Sequence, residues 1–530
     1  MTDHTPDHTP GDGFHVYDTT LRDGSQREGL TLSVEDKLAV AAHLDDLGVG
    51  FIEGGWPGAN PKDEAFFRRA AAGDLSLRHA QLAAFGATRK PGVAAADDPQ
   101  VLALLAASTP VVTLVAKSHV GHVERALRTT REENLAMIGD TVAFLCAEGR
   151  RVFLDAEHFF DGYLLDRDYA LAVVRTAYEA GADVVALCDT NGGMLPARIS
   201  DIVHELASDG LRVGIHAHND TSCAVANSLA AVDAGATHVQ GTANGYGERA
   251  GNADLFAVVA ALQLKLGREV IPTGSVADLV RVSHAIAELA NIAPDPHQPW
   301  VGASAFTHKA GLHASALKVD PDLYQHTDPS LVGNDMRVLV SELAGRASVE
   351  LKAKALDIDV DRETVGRVIE RVKEMEARGY TFEAAEASFE LLLREEVDRA
   401  RPQFFELESY RVITETRPDG AHVSEATVKL HAKGERMVAT GEGNGPVNAL
   451  DRALRQALER VHPALAAFEL VDYKVRILEG AHGTGAITRV LVRTSDGERE
   501  WDTVGVDENV IAASWQALED AYTYGLLTAG

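Results

Sequence analysis

The sequence predicts an α/β protein made of a (β/α)8 TIM barrel, a mostly helical linker subdomain and a C-terminal α+β domain. Two observations predict the barrel. From His15 to about residue 267, short β-branched and apolar runs alternate with longer amphipathic stretches, and the eight runs begin 26 to 40 residues apart. Each interval holds one strand and one helix, which is typical of a parallel sheet. Eight such units in ~250 residues are what the barrel requires.

The predicted strands are identified by their apolar runs. In order they are HVYDTTLRDG from His15, FIEGGWP from Phe51, QLAAFGAT from Gln81, VVTLVAK from Val111, RVFLDAEHF from Arg151, DVVALCDTNG from Asp183, RVGIHAHND from Arg212 and HVQGTANG from His238. An open doubly wound sheet is the alternative. It asks for a GxGxxG motif after the first strand, where this chain has TTLRDGSQ, so the barrel is favoured.

Three predicted helices give independent evidence for this order. The segment SVEDKLAVAAHLDDLG opens with a capping-box pattern at Ser33 and Asp36 and closes at Gly48. Residues 166–181 and 196–210 repeat the scheme, each with a helix closed by glycine before the next strand.

After residue 267 the strand–helix rhythm breaks. Residues 270–400 look mostly helical, and strand-like runs return from about Phe404. These runs are YRVITET, EATVKLHAKG, YKVRILEG and TRVLVRTSDG, accompanied by the helices LDRALRQALERV and NVIAASWQALEDAYTYGLL. No internal repeat is apparent. We predict a disordered tail at 1–13, a barrel at 14–268, a helical linker subdomain at 269–403 and a separate domain at 404–530.

Composition excludes several classes of protein. The 530 residues carry 50 Lys plus Arg against 79 Asp plus Glu, a net charge of −29, so nucleic acid is a poor partner. A polyanionic small ligand would need a local basic pocket. No apolar run reaches ~18 residues, so we expect no membrane span. The start lacks the features of a secretion signal. Three cysteines without a CxxC pair predict a reducing, cytoplasmic setting.

Polar residues gather where the predicted strands end. Barrel enzymes place their chemistry at these C-terminal ends, and a purely structural barrel has no need of polar residues there. The residues are Arg22, Asp23, Glu53, Glu157, Asp189, Thr190, His216, His218 and the segment from Asn244 to Asn252. By contrast, His119 and His122 form an HxxH that we interpret as loop surface, because no third ligand is evident.

The strongest local signal is His216-Ala217-His218 on the seventh strand. Residues i and i+2 of a strand share a face, so both imidazoles point the same way. Two histidines at this spacing also arise by chance as core residues. Asp23 lies at the matching end of the first strand, and one carboxylate with two imidazoles leaves positions open for substrate, as a catalytic divalent site needs. This mixed ligand set leaves Mg²⁺, Mn²⁺ and Zn²⁺ open.

Several motifs together resemble one family. YDTTLRDGSQREG, HAHNDTSCAVANSLAAVDAGATHVQGTANGYGERAGNADL and FTHKAGLHASA are similar to the acyl-CoA-condensing barrel enzymes, which include the 2-isopropylmalate, homocitrate and citramalate synthases. EGGWPGANPKD, DAEHFFDGY and DPSLVGN resemble the citramalate synthases of the two-domain kind. GEGNGPVNALDRALRQAL resembles the C-terminal effector-binding, LeuA-type dimerisation domain. The resemblance spans residues 14 to 530, and its motifs occur in the right order.

The resemblance implies roles for residues at the barrel mouth. Asp23, His216, His218 and Asn252 match the residues that hold the family's metal. Arg22 matches the arginine that faces the keto oxygen, where a cation would stabilise the developing alkoxide. Thr190 matches a threonine near the substrate carboxylate. Glu53 is expected to orient a ligand or water as its hydrogen-bond partner.

The resemblance also implies a set of proton-transfer residues. Glu157 matches the family's catalytic glutamate, and alternation on its strand places Asp155 deeper on the same face. His313 matches the histidine that helps to remove a proton from the acetyl methyl group, and Tyr324 matches a tyrosine nearby. A histidine suits this role because its pKa lies near working pH. Both residues lie beyond the barrel, so the linker region must deliver them, in cis or from a partner subunit.

The glycine run Gly441, Gly443 and Gly445 opens a predicted helix. A phosphate site is disfavoured because the segment lacks the strand context and later acidic residue of a dinucleotide fingerprint. The remaining interpretations are a tight backbone turn and, from the resemblance, part of an amino-acid effector site.

The resemblance therefore implies a metal-dependent (R)-citramalate synthase that condenses acetyl-CoA with pyruvate and hydrolyses the thioester, on a route to isoleucine. A homodimer with isoleucine as feedback effector is expected. Pocket residues outside the motifs leave 2-oxoisovalerate, and hence a 2-isopropylmalate synthase, as an alternative. A metal-dependent C–C lyase or aldolase on the same barrel stays open as well, as does a regulatory protein with an inactive barrel.

Overall fold

The structure is a computed structural model that describes residues 13–341, 343–478 and 485–529. All but the last residue of the predicted tail, 1–13, lies outside the described residues. The chain divides into two compact units. The first runs to Phe306 and includes Thr327–Asp335, and the second comprises Thr307–His326 and the chain from Met336. No helix among the described residues is long and apolar enough to cross a membrane.

The first unit contains a closed barrel of eight parallel strands in sequence order, which confirms the predicted fold class. Strand β1 pairs with β8 and closes the ring. The strands are β1 (His15–Asp18), β2 (Phe51–Gly55), β3 (Gln81–Ala87), β4 (Val111–Lys117), β5 (Arg151–Glu157), β6 (Val184–Asp189), β7 (Val213–Ala217) and β8 (His238–Gly241). All begin at the predicted residue except β6 and β7, which begin one residue later.

Helices cover the outside of the barrel. Ser33 and Asp36 form the predicted capping box of the first helix, and Gly48 ends it with a φ of 92°, which favours glycine. Asp166 caps a later helix by accepting the backbone N–H of Tyr169. The helices are α1 (Val34–Leu47), α2 (Pro61–Arg69), α3 (Pro99–Ala106), α4 (Val120–His122), α5 (Arg131–Ala147), α6 (Phe159–Leu165), α7 (Arg167–Glu179), α8 (Pro196–Ser208), α9 (Ala224–Asp233), α10 (Leu255–Leu264) and α11 (Leu279–Leu289).

Polar residues close the N-terminal end of the barrel. We call them the base cluster: His15, Arg151, Asp183, Arg212 and His238. The Nδ1 atoms of the two histidines lie 3.3 Å apart. Arg151 and Arg212 approach Nε2 of His15 at 3.1 and 2.8 Å and also bind Asp183. Above this layer the interior is aromatic, with Tyr17, Phe51 and Phe153 packed together.

The second unit begins with a helical subdomain. Its core packs Val349, Val365, Val368, Phe382 and Phe389, and two short strands pair in parallel beside it. The elements are β9 (Thr307–His308), α12 (Gly311–Leu317), β10 (Arg337–Val338), α13 (Arg346–Ala355), α14 (Arg362–Ala377) and α15 (Glu386–Asp398).

In the rest of the second unit, one arrangement of strands and helix occurs two times. Three antiparallel strands are followed by a helix, and then three further strands by a second helix. The elements are β11 (Glu406–Thr416), β12 (His422–Ala432), β13 (Glu435–Gly443), α16 (Pro446–Leu458), β14 (Glu469–Ile477), β15 (Thr488–Ser495), β16 (Glu500–Asp507) and α17 (Val510–Thr528).

The sequence analysis missed β13, β16 and therefore the repeat. In ERMVATGEG burial alternates along the strand, but alanine and two glycines occupy three of the four inner positions, so the sequence shows little apolar–polar alternation. In EWDTVGVD, Gly505 interrupts the pattern because the backbone of α17 approaches closely: a Cβ there would lie 1.9 Å from the carbonyl oxygen of Ala513.

Candidate active site at the barrel mouth

Three buried side chains meet at the C-terminal end of the barrel, and we call them the mouth cluster: Asp23, His216 and His218. Oδ2 of Asp23 lies 3.1 Å from Nε2 of His216 and 3.6 Å from Nε2 of His218. The two Nε2 atoms are 3.3 Å apart. Among the described residues, this is the one group that brings three potential ligand atoms within 4.8 Å of one another.

Strands β1, β7 and β8 position the mouth cluster. Asp23 lies in a tight turn after β1, and His216 points inward from β7. His218 follows that strand and forms an isolated backbone bridge with Asn252, from the long loop after β8. The amide nitrogen of Asn252 donates to the carbonyl oxygen of Tyr246, but its Oδ1 is buried without a partner. A buried oxygen in this state is suited to a ligand.

Gln240 fixes the orientation of His216. Its Oε1 lies 2.6 Å from Nδ1 of His216, and its Nε2 donates to Oδ1 of Asp155 at 2.7 Å. Because an amide oxygen can only accept, Nδ1 of the neutral imidazole carries the hydrogen. Its Nε2 donates to Asp23 while the ring is protonated and, once that proton has left, offers a lone pair to a metal ion, which is the arrangement of a metal-binding histidine.

The mouth cluster is strongly coupled electrostatically. Burial raises the pKa of Asp23, but the nearby charge of Arg22 and the hydrogen bond from His216 outweigh it and hold that pKa below its ordinary value. Burial lowers the pKa of His216, whereas Asp23 outweighs it and raises the pKa to about 9. Burial and the neighbouring His216 lower the pKa of His218 to about 4. Asp23 thus faces one imidazole whose pKa is raised, that of His216, and one whose pKa is lowered, that of His218.

Arg22 is held beside the mouth cluster by Glu53. The Nε atom of Arg22 donates to Oε2 of Glu53 at 2.5 Å, and its guanidinium lies 3.8 Å above the ring of Phe85. Glu53 is fully buried and also accepts from the hydroxyls of Tyr17 and Thr19. Among the described residues, the terminal nitrogens of Arg22 make no hydrogen bond, and Nη1 lies 4.0 Å from Asp23. They are therefore available to a bound anion or carbonyl oxygen.

Glu157 and Thr190 lie at the C-terminal ends of the neighbouring strands β5 and β6. Glu157 ends β5 and forms an ion pair with Lys117, which ends β4. The hydroxyl oxygen of Thr190, just after β6, accepts the backbone N–H of His158 at 2.8 Å, so its own proton is free to be donated. The structure therefore places both residues at strand ends but not within the mouth cluster.

The remaining predicted site residues lie in the second unit. His313 of α12 stacks on Tyr324, with ring centroids 4.2 Å apart, so the structure brings these two together. Their delivery to the barrel stays a prediction. Gly441 and Gly443 end β13, and Gly445 caps α16. A Cβ on either of the first two would lie 2.5 Å from backbone nitrogens of α16, so these glycines allow the close packing of strand on helix.

Sequence reasoning did not identify Gln240 as part of the site, and it left Asp155 without a role. Both are fully or nearly fully buried polar residues on strands. The available signal was alternation: His238 and Gln240 are two residues apart on β8, as His216 on β7 and His218 just after it are. The role expected of Glu53 was orientation of a ligand or water, whereas in the structure it holds Arg22.

Three family models match successive parts of the chain. The HMGL-like family model matches residues 14–286, a homocitrate synthase post-HMGL domain-like model matches 300–380, and the LeuA allosteric (dimerisation) domain matches 383–526. An (R)-citramalate synthase from Streptomyces coelicolor is 69% identical over 98% of both chains. One from Synechocystis sp. is 50% identical over 97% of both. A probable 2-isopropylmalate synthase from Methanopyrus kandleri is 33% identical over 96% of this chain and 97% of its own.

These matches cover the barrel, the linker subdomain and the C-terminal domain in the same order as in the relatives, so the assignment to a family rests on the whole chain. The chain belongs to the HMGL-like family and, within it, to the (R)-citramalate synthases.

Proposed function

We propose that this protein condenses acetyl-CoA with pyruvate and hydrolyses the resulting thioester to give (R)-citramalate and CoA. The observation that carries the proposal is the buried mouth cluster, beside which the terminal nitrogens of Arg22 make no hydrogen bond to any described residue. The relatives that bear the name (R)-citramalate synthase support the choice of reaction.

The mouth cluster fits a divalent metal ion. Asp23, His216 and His218 offer one oxygen and two nitrogen ligands, and the buried, unpartnered Oδ1 of Asn252 offers a further oxygen. This donor set suits Mg²⁺, Mn²⁺ or Zn²⁺. When bound, the ion would polarise the keto group and leave room for the substrate carboxylate.

Arg22 acts on the acceptor carbonyl. As the C–C bond forms, the keto oxygen gains negative charge, and a preorganised guanidinium stabilises that charge without rearrangement. Glu53 holds the guanidinium in place through Nε, which leaves the terminal nitrogens to face the oxygen. The hydroxyl of Thr190 donates to the carboxylate of the oxo acid.

Proton removal from acetyl-CoA falls to Glu157, His313 and Tyr324. One base takes a proton from the acetyl methyl group, and the resulting carbanion equivalent attacks the keto carbon. The stacking of His313 on Tyr324 keeps the imidazole in a fixed orientation. Lys117 holds the carboxylate of Glu157. Water then cleaves the thioester, and CoA leaves as the thiol.

The acceptor is pyruvate rather than 2-oxoisovalerate. One methylene changes binding in an apolar pocket by only ~1–3 kcal/mol, so the side chains that set this preference are hard to identify by motif. The much higher identity to the citramalate synthases than to the isopropylmalate synthase favours the smaller oxo acid.

The C-terminal region serves as a dimerisation and feedback domain. Both sheets expose apolar side chains on their outer faces, which suits an interface with a second copy of the chain. These residues are Ile413, Val438, Val471, Val475 and Ile477. Isoleucine, the end product of a route through citramalate, is the proposed effector. Gly441, Gly443 and Gly445 are part of the proposed effector-binding region.

The test is CoA release followed with a thiol reagent. Acetyl-CoA is offered with pyruvate or with 2-oxoisovalerate, each with and without EDTA and isoleucine. Release with pyruvate that stops on chelation and falls with isoleucine is expected. Release with 2-oxoisovalerate alone would move the chain to the isopropylmalate synthases. No release with any oxo acid would contradict the condensation and favour a lyase.

A further inference from the structure

Arg249 lies beside the proposed site but has no part in the mechanism described so far. It belongs to the long loop after β8, three residues before Asn252. Its Nε and Nη2 atoms donate to the two carboxylate oxygens of Asp220 at 2.9 and 3.0 Å. Nη2 also donates to the backbone carbonyl oxygen of Thr190 at 2.8 Å. We call Thr190, Asp220 and Arg249 the loop clamp.

The three residues of the loop clamp come from three neighbouring loops at the catalytic end of the barrel. Thr190 follows β6, Asp220 follows β7 and Arg249 follows β8. Each loop also carries a residue of the proposed site. Asp220 comes two residues after His218, Arg249 comes three residues before Asn252, and Thr190 is itself the proposed donor to the oxo acid. The loop clamp therefore joins two proposed metal-binding residues to one proposed substrate-binding residue.

The contact between Arg249 and Asp220 is more specific than an ordinary surface ion pair. The planar guanidinium meets both carboxylate oxygens at once, which is the strong and directional form of this pair. Asp220 fits there because Gly192, in the loop after β6, has no side chain: a Cβ would lie 2.4 Å from Oδ2 of Asp220. The hydroxyl of Thr221 donates to the carbonyl oxygen of Gly192 at 2.9 Å and joins the same two loops.

The loop that Arg249 holds has an unfavourable backbone conformation. Asn244 and Arg249 both have a φ of 56°, which side chains other than glycine rarely adopt. Such a conformation persists only where surrounding contacts hold it. The loop is also tightly packed around Asn252, because a Cβ on Gly247 would lie 2.2 Å from the amide nitrogen of Asn252. The place of Asn252 therefore depends on the bonds that Arg249 makes.

We propose that Arg249 is a positioning residue that fixes His218 and Asn252, which bind the metal ion, relative to Thr190, which binds the oxo acid. The keto and carboxylate groups of a 2-oxo acid are adjacent, so groups on separate loops must be placed accurately to bind both. A displacement of about 1 Å in such a site is costly. This inference rests on the proposed function, because it assigns Arg249 a task in binding that reaction's acceptor.

Direct binding of the oxo acid by Arg249 is the weaker interpretation. Two of its three nitrogens are already engaged by Asp220 and Thr190, and the third, Nη1, lies 3.9 Å from the carboxylate of Glu248. The carboxylate of Asp220 also offsets the positive charge that a substrate anion would need.

The first experiment measures metal binding in the full-length protein. EDTA-treated wild type and Arg249→Ala are titrated with Mn²⁺ by calorimetry, without substrate. The affinity of Arg249→Ala should be lower by about tenfold, as is usual when groups that support metal ligands are lost. Its thermal midpoint should change little, because the side chains of Arg249 and Asp220 are 43% and 27% exposed. Arg175→Ala is the matched control. It removes an exposed contact to Asp209 on the outer helices and should change neither value.

The second experiment measures CoA release at saturating metal. For Arg249→Ala, the KM for pyruvate should rise by at least about tenfold, because Thr190 and the metal ion are no longer held in register. The fall in kcat should be smaller, and the KM for acetyl-CoA should be unchanged. A merely structural role would instead lower kcat through loss of folded enzyme and leave both KM values as they are.

Asp220→Asn distinguishes the loop clamp from direct binding. The amide oxygen still accepts one N–H of Arg249, but the second bond is lost, so metal affinity and the KM for pyruvate should change in the same direction by a smaller factor. The double variant Arg249→Ala/Asp220→Asn should be no worse than Arg249→Ala alone, since both changes break one contact. If Arg249 binds the oxo acid directly, Asp220→Asn leaves the KM for pyruvate unchanged or lower, and the inference is overturned.

Unchanged metal affinity or an unchanged KM for pyruvate in Arg249→Ala also overturns the inference, as do additive effects in the double variant or equal effects in Arg175→Ala. If the wild type releases no CoA with any oxo acid, the proposed function fails. The calorimetric titration then decides alone: weaker metal binding by Arg249→Ala but not by Arg175→Ala supports the positioning role, and equal binding by wild type and Arg249→Ala contradicts it.

Discussion

The barrel carries two histidine pairs, one at each end, that look alike in isolation. In the base cluster the facing nitrogens of His15 and His238 are 3.3 Å apart, and in the mouth cluster those of His216 and His218 are also 3.3 Å apart. Their surroundings differ. At the base, Arg151 and Arg212 both contact Nε2 of His15 and bind a shared carboxylate, that of Asp183.

The mouth pair, His216 and His218, has fewer charged partners. It faces a single carboxylate, Asp23, while Nδ1 of His218 and Oδ1 of Asn252 are buried without partners. Buried polar groups are almost always paired, so unpaired ones at the catalytic face are suited to binding a ligand. A histidine pair therefore indicates a binding site when buried polar atoms around it lack hydrogen-bond partners. The distance between the two rings does not distinguish a binding site from a structural pair.

The largest expected effect comes from breaking the mouth cluster. Asp23→Ala and His216→Ala should each lower kcat about a thousandfold or more, because metal polarisation supplies several kcal/mol of transition-state stabilisation. Metal content measured by mass spectrometry should fall in parallel, and the thermal midpoint should change little. Unchanged turnover in either variant would show that the metal assignment is wrong.

Arg22 comes next. Arg22→Lys should lower kcat by about 10²–10³, since a point charge replaces a planar group that Glu53 holds in place. Metal binding should be retained, which separates this variant from those of the mouth cluster. A loss of metal equal to that in His216→Ala would contradict the separate roles.

The base cluster should show the opposite behaviour. Arg151→Ala removes a contact to His15 and Asp183, so the barrel should lose roughly 2 kcal/mol of stability. Calorimetry measures the loss as a lower midpoint of the barrel transition. The kcat of the folded enzyme should be unchanged, and a kcat reduced like that of Arg22→Lys would remove the distinction between the two ends.

Gln240 connects the two ends, because it contacts both His216 and His238. Gln240→Leu should weaken metal binding about 10- to 100-fold, as is usual when the group that orients a metal-binding histidine is lost. Excess metal should restore most of the turnover. Failure of excess metal to restore it would mean that Gln240 acts in the chemistry itself.

The smallest effect is a pH dependence of stability from the base. Burial, with the charges of Arg212 and Arg151, lowers the pKa of His15 to about 3. Below pH 6.5 the unfolded chain binds a proton there that the folded chain does not, so stability falls as pH falls. Between pH 7 and 5.5 the loss from this group is about 1 kcal/mol. It should be absent in His15→Asn, measured by denaturant unfolding at both pH values.

The sequence predicted the barrel well because each strand–helix unit carries a local signal. The capping box at Ser33 and the glycine at Gly48 appear as expected. It predicted less of the C-terminal region, where small residues occupy the inner positions of β13 and Gly505 lies within β16, so the apolar–polar alternation of the sequence is weak. The two units of three strands and a helix share no sequence motif, so the sequence pattern does not reveal the repeat.

For the candidate site, sequence reasoning selected Asp23, His216 and His218, which the structure brings together. It could not assign Gln240, because a buried amide on a strand has no motif of its own. Nor could it separate the base histidines from the mouth histidines, because their difference lies in partners contributed by distant strands. Contacts such as Arg22 with Glu53, 31 residues apart, arise only when β1 and β2 pair side by side.

The most direct test of the central claim is a metal titration of the EDTA-treated wild type alongside Asp23→Ala, with CoA release from acetyl-CoA and pyruvate followed in the same samples. The account predicts one divalent ion per chain in the wild type, with turnover restored in proportion to occupancy, and neither binding nor turnover in the variant. Full turnover in the metal-free wild type, or equal binding in the variant, would contradict it.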